Sequence, residues 1–313
     1  STGTAFTSNL YVLSGTPIWV TATANTGYNT AVLKVNNTTV TAPNSRTITS
    51  ATTYASSATV TEYTITYNLD GGSISGEKTS YTVNDTFTLV TPTKAGYEFA
   101  GWTGSNGTTA QKTVTIAKGT TGNLSYTANW TATSLTFNDQ TLTAGSYNTA
   151  YSGTFTGASN GTGSYTYTIT GVTRANIGST SYTTVSASSG KYNGLGLTDT
   201  TISGTPTVAG TYKFSVKAQD TNSNVEKTAT ITIVINQLSG SISYATTTLT
   251  KTYGDAQFTN ALTKTGDGTV TYASSATSVA TVDNAGKVTI VGAGETTITA
   301  TVANGTNYSY ATK

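Results

Sequence analysis

Apolar and polar residues alternate with a period of two along much of this chain. In TYKFSVKAQD, residues 211–220, Tyr212, Phe214, Val216 and Ala218 share one face, and Lys213, Ser215, Lys217 and Gln219 share the other. TATITIVIN, 228–236, aligns Ile231, Ile233 and Ile235. ETTITATV, 295–302, sets Ile298, Ala300 and Val302 against Thr297, Thr299 and Thr301. YTITYNLDGG, 63–72, aligns Tyr63, Ile65, Tyr67 and Leu69 before it breaks at Gly71-Gly72. Side chains leave a strand on alternate faces, so each segment predicts a strand with one face buried and one in water. No window of about 11 residues carries a helical stripe, and at most one short helix in a connection is expected. NLDGGS, GSNGT, GASNGTGS, TGDGT and VDNAGK punctuate the strands at the spacing of sandwiches and small antiparallel sheets.

Composition sharpens this picture. Thr, Ser, Gly, Asn and Tyr dominate, which suits strands and turns and not helix interiors. The 313 residues are enough for about two to four domains. Charge is sparse, 15 Lys plus Arg against 13 Asp plus Glu, and is scattered singly. No basic stripe exists for phosphates, so nucleic acid is not an expected partner. There is no Cys, His or Met, which removes disulfides, thiolate ligands and the commonest general base. A chain that opens on STGTAFTSNL is expected to be a processed product or a fragment. The longest apolar run, ITIVI at 231–235, is strand length, so no membrane span is expected in this segment.

The pattern divides into four blocks. Residues 63–130 open on a Tyr-rich strand, turn at Gly71-Gly72, pass through TFTLVTPTKAGYEFAGW and close on YTANW. This stretch resembles the Listeria–Bacteroides repeat, also called the internalin B-repeat, whose fold is implied to be small and β-grasp-like. Pro92 is expected to end a strand, Gly96 and Gly101 to bend the backbone either side of a short one, and Tyr97, Phe99 and Trp102 to fill the core. Residues 1–62 resemble a divergent copy, with Leu33 or Val35 standing where the repeat has Trp. Residues 132–237, through ISGTPTVAGTY and the long strand after it, are similar to Ig-like, cadherin-like domains of bacterial surface proteins. Residues 238–313, through VTYASSATSVATVDNAGKVTIVGAGETTITATV, resemble the bacterial Ig-like group 2 domain. There ANGTNYSYATK reads as a loop before a last strand that the sequence does not contain. The expected fold class is all-β, an elongated tandem array of small β-grasp-like and Ig-like β-sandwich domains.

Candidate chemistry is thin. The carboxylates fall mostly one per turn, and Ser has no His partner, so no catalytic residues are assigned and an enzyme is not expected. Calcium is the metal that oxygen donors alone would suit. The cadherin-like resemblance implies candidate ligands Asp220, Asn222 and Asn224 in AQDTNSN, against the reading of an ordinary hairpin turn. A Lys–Asn isopeptide bond is a further option that spacing cannot pair. The tyrosines of YTYTI and YSYATK are read as half core, half surface. No cofactor is required. The resemblances imply a stalk or adhesin segment, extracellular or on a bacterial cell surface, with a host or neighbouring-cell protein or glycan as partner. Two alternatives stand beside it. One is a fibre subunit assembling with itself by strand donation, with STGTAFTSNLYVL as donor and Ala5, Leu10 and Val12 inserted. The other is an accessory module of a secreted polysaccharide-active enzyme.

Overall fold

The computed structural model describes residues 14–15, 17–29, 31–41, 44–47 and 52–311. None of these is helical. The chain divides into two compact units, Ser1–Thr133 and Ser134–Lys313.

In the first unit, Val32–Val35 lies between Thr38–Val40 and Tyr54–Ser57, antiparallel to both. Asn36 and Asn37, both at positive φ, close the two-residue turn of this hairpin. Leu33 and Val35 are both buried. Pro17–Val20 pairs antiparallel with Asn44–Thr47.

Residues 62–132 form a mixed five-stranded sheet in the order Gly107–Gln111, Tyr97–Gly104, Leu124–Ala132, Glu62–Asn68, Ser80–Thr82. Its central pair, 62–68 and 124–132, is parallel; the other pairs are antiparallel. The alternation of 63–69 holds: Ile65 is buried, and Tyr63, Tyr67 and Leu69 pack against the same cluster. Trp102 is fully buried, with Phe99, Tyr67 and Tyr126 rings around it at 5.3–6.3 Å between centroids. Its Nε1 has no acceptor, so the position is held for ring volume rather than for a hydrogen bond.

Two expectations for this block are corrected. Tyr97 lies outside the core cluster; it is half-buried at the end of its strand, where the Lys94 ammonium sits 4.5 Å from its ring. Gly101 does not end a short strand but lies inside an eight-residue one, Tyr97–Gly104. There both neighbouring ladders shift register, and a Cβ at Gly101 would meet the Gln111 nitrogen at 2.6 Å. Close approach of the edge strand demands the glycine.

The second unit holds two sandwiches. In the first, one sheet runs Gln140–Thr141, Glu226–Asn236, Gly210–Asp220, Tyr165–Ala175, Thr183–Thr184, and Gly145–Ser146 also joins the 226–236 strand. The facing sheet is Tyr151–Thr154, Thr201–Gly204, Leu195–Thr198. Tyr212, Phe214, Val216, Ala218, Ile231, Ile233 and Ile235 all lie inward and are fully buried, as the alternation predicts. They meet Phe137, Phe155, Leu195 and Ile202 from the other side. In the second sandwich Val270–Ser274 pairs with Ile298–Val302, Ser241–Tyr244 with Leu262–Thr265, and Lys287–Ile290 lies between Phe258–Thr259 and Ala280–Val282. The segment read as a terminal loop is corrected: Tyr308–Ser309 is a short strand, parallel to Leu238–Ser239.

Candidate functional site

Asp220 ends the 210–220 strand, at the hairpin turn into 226–236. Its side chain is fully buried. Oδ1 accepts from Thr162 Oγ1 at 2.7 Å, Ser223 N at 2.9 Å and Asn222 N at 3.0 Å, and Oδ2 accepts from Thr162 N at 2.5 Å. Burial opposes the charge, but the donors from Ser223, Thr162 and Asn222 outweigh it and hold the carboxyl well below the usual carboxylate range. Gly161, at φ +66°, lies so close that a Cβ there would strike Oδ2. Asn222 Nδ2 donates to Thr162 Oγ1 at 3.1 Å, and Asn224, at φ +57°, donates its N–H to the Asp220 carbonyl at 2.9 Å. The three calcium candidates thus share one turn, and the carboxylate faces N–H and O–H donors that pin the 160–163 loop to it. No group of three or more acidic, His or Cys side chains gathers among the described residues.

The sequence reading missed a polar trough on the outer face of the same sandwich. It has a volume of about 280 Å³ and is lined by Asp139, Gln140, Thr141, Lys213, Thr230 and Thr232. Cross-strand register assembles it: Thr141 opposes Thr232, which opposes Lys213. Asp139 Oδ1 accepts from Thr230 N at 2.7 Å. The Lys213 ammonium lies 4.4 Å from the Tyr182 ring centroid and forms no ion pair among the described residues, whereas Lys217 pairs with Glu226 at 2.7 Å. The outward-facing polar half of the alternation was the available signal. Only the parallel pairing of 140–141, which the sequence does not reveal, brings Asp139 and Thr141 to it.

A second depression, about 180 Å³, lies in the first unit among Tyr67, Lys78, Phe87, Thr88, Leu89 and Val90. The Tyr67 hydroxyl donates to the Lys78 carbonyl at 2.9 Å, and burial, with Tyr126 and Glu77 nearby, pushes it up to about 12.

The tyrosines of YTYTI, Tyr165 and Tyr167, pack against the first sandwich core. Tyr308 packs on Tyr147 with centroids 5.7 Å apart. The donor candidates Ala5, Leu10 and Val12 lie outside the described residues. No helix among the described residues is long and apolar enough to cross a membrane.

Comparison with known families gives two matches. Residues 63–129 match the Listeria-Bacteroides repeat domain, and residues 253–304 match the intimin immunoglobulin-like domain. The chain therefore carries a repeat of the first kind and, further along, an Ig-like domain of the second. No curated protein matches it. Among solved structures, the N-terminal four Ig domains of Dscam1 isoform 6.9 align at 13% identity, covering 83% of this chain and 80% of that one, with a TM-score of 0.25. Those of isoform 7.44 align at 12% identity, covering 83% and 79%, with a TM-score of 0.27. Likenesses this distant carry no functional argument.

Proposed function

We propose that this chain is a non-enzymatic stalk or adhesin segment of a bacterial cell-surface or secreted multidomain protein, built of small β-domains at 1–62, 63–131, 132–237 and 238–313. One observation carries the reading. In each of the last three blocks the first and last strands pair in parallel. Glu62–Asn68 pairs with Leu124–Ala132; Gln140–Thr141 and Gly145–Ser146 pair with Glu226–Asn236; Leu238–Ser239 pairs with Tyr308–Ser309. Tension applied at the two ends of a block drags such strands in opposite directions along their length. The ladder is then sheared, with all its bonds loaded together, whereas an antiparallel hairpin pulled at its open end loses one bond at a time. This geometry suits a module that transmits force between an anchor and a bound partner.

The family matches support the setting, because both domain types are modules of bacterial surface proteins. A surface of hydroxyls and amides with few charges suits an extracellular location. The test is single-molecule stretching of the chain held at its two ends. Separate rupture events are expected, with the 63–131 and 132–237 blocks outlasting 238–313, whose parallel pair is only two residues long. Gradual extension without discrete ruptures would overturn the reading.

A further inference from the structure

We propose that the trough on the 132–237 sandwich binds a neutral saccharide through its hydroxyl groups. This gives a ligand class to the adhesive half of the reading above and rests on it; a purely mechanical stalk does not need it.

The lining selects the ligand chemistry. All six side chains are polar, so an apolar ligand finds no wall to lie against. Asp139 accepts only and Lys213 donates only. One Asp139 oxygen is held by the Thr230 N–H, which fixes the carboxylate and leaves the other oxygen for a ligand. The Lys213 ammonium rests against Tyr182, which orders a side chain that would otherwise wave in solvent. The two charges are not paired with each other. An anionic ligand would meet Asp139, and a cationic one Lys213. A sugar hydroxyl both donates and accepts, so separate hydroxyls along an oligosaccharide laid across the strands satisfy the two groups in turn, Asp139 at the 140–141 edge and Lys213 two strands further in.

The threonines extend the same pattern. Thr141 and Thr232 are register partners on adjacent strands, and Thr230 lies two residues along from Thr232. That spacing makes a grid of hydroxyls about 5 Å by 7 Å. Each can rotate to donate or accept. The volume of about 280 Å³ sits at the floor of the usual range for enclosed ligand pockets, which suits rings laid on a surface rather than swallowed. A peptide is the weaker fit, because the trough lies on a sheet face whose backbone groups are already in ladders; an extended peptide gains its main affinity at an edge.

The test is binding of the full chain to immobilised gluco-, galacto-, manno- and N-acetylglucosamine oligosaccharides, with polygalacturonate as the anionic arm and an unstructured polypeptide as the peptide arm. Three variants accompany it: Asp139→Asn, Lys213→Gln and Thr232→Val. Asn at 139 keeps an acceptor for the Thr230 N–H, and Thr232→Val preserves shape, so thermal melts are expected to stay unchanged. At least one neutral oligosaccharide is expected to bind, with Asp139→Asn and Lys213→Gln each weakening it about tenfold or more, the loss of one charge-assisted hydrogen bond, and Thr232→Val about fivefold, the loss of one neutral hydrogen bond. Absence of binding to every neutral oligosaccharide, binding to polygalacturonate or polypeptide alone, or equal binding by all three variants would overturn the proposal. If saccharides fail while the tethered chain still ruptures block by block, the ligand class falls and the stalk reading stands.

Discussion

The two sandwiches of the second unit share an outline and differ in filling. Both pair their terminal strands in parallel, and both carry a strand with strict alternation, 210–220 in one and 298–302 in the other. In the first, every inward residue of that strand is fully buried. In the second, Ile298, Ala300 and Val302 face inward but are only half-buried, and Ala280 and Val288 are the buried apolar residues of the block. The 210–220 strand is bonded on both edges along its length, whereas 298–302 is paired by one strand, 270–274, among the described residues. The first core is also made of larger groups. Alternation therefore decides which face a side chain takes. How deeply it is buried depends on neighbouring strands and on the volume supplied by the facing sheet.

The largest test of this contrast is a pair of truncations. Phe214→Ala is expected to cost about 3–5 kcal/mol, because it empties a fully enclosed site. Val302→Ala, on the matching strand of the second sandwich, is expected to cost about 1 kcal/mol or less, since the side chain is only half-buried. Denaturant unfolding of the full chain, followed by the transition of each sandwich, measures both. Similar costs would show that the second core is as well sealed as the first.

The turn carboxylates give a middle-sized version of the same contrast. Asp220 is buried and holds four donors, while Asp267, exposed, accepts from Asn307 N at 2.8 Å and Tyr308 N at 3.2 Å. Asp220→Ala strands buried N–H groups and is expected to cost about 1–3 kcal/mol, and Asp267→Ala less, because water replaces the carboxylate there. The pH dependence follows from the lowered Asp220 value. The stabilisation is complete above the unfolded carboxyl range near about 4 and is lost as pH falls below it. The acid limb of a melting-temperature profile should flatten in Asp220→Asn. A chelator or added calcium should leave the melt unmoved, since a cation at Asp220 would have to displace the donors already there; a calcium-dependent rise would restore the metal reading.

What the sequence revealed and what it hid follow one rule. Period-two faces were legible at 63–69, 211–219, 228–236 and 295–302, because burial on one side of a sheet writes directly into alternation. Trp102 was legible as core because a small domain without disulfides has little else to fill it. Tyr97 was not, since an aromatic at a strand start serves equally well as a platform for Lys94. Gly101 was legible as special but not in kind: a turn and a close strand contact ask for the same residue. The trough was hidden because Asp139, Lys213 and Thr230 are far apart in sequence and meet only through register.

The smallest test addresses the joint between the two sandwiches. Asn307 Oδ1 accepts from the N–H of Ala209 at 2.9 Å, Gln237 Nε2 donates to the Gly305 and Thr306 carbonyls at 2.7 and 3.1 Å, and Tyr308 packs on Tyr147. Asn307→Ala removes one link and is expected to cost about 1 kcal/mol, the net worth of one hydrogen bond. If the second sandwich borrows stability through the joint, the loss should fall on its transition in a calorimetric melt and leave that of 134–237 in place. If the 134–237 transition drops instead, Asn307 serves mainly to satisfy the buried Ala209 N–H. The second sandwich then stands on its own half-filled core.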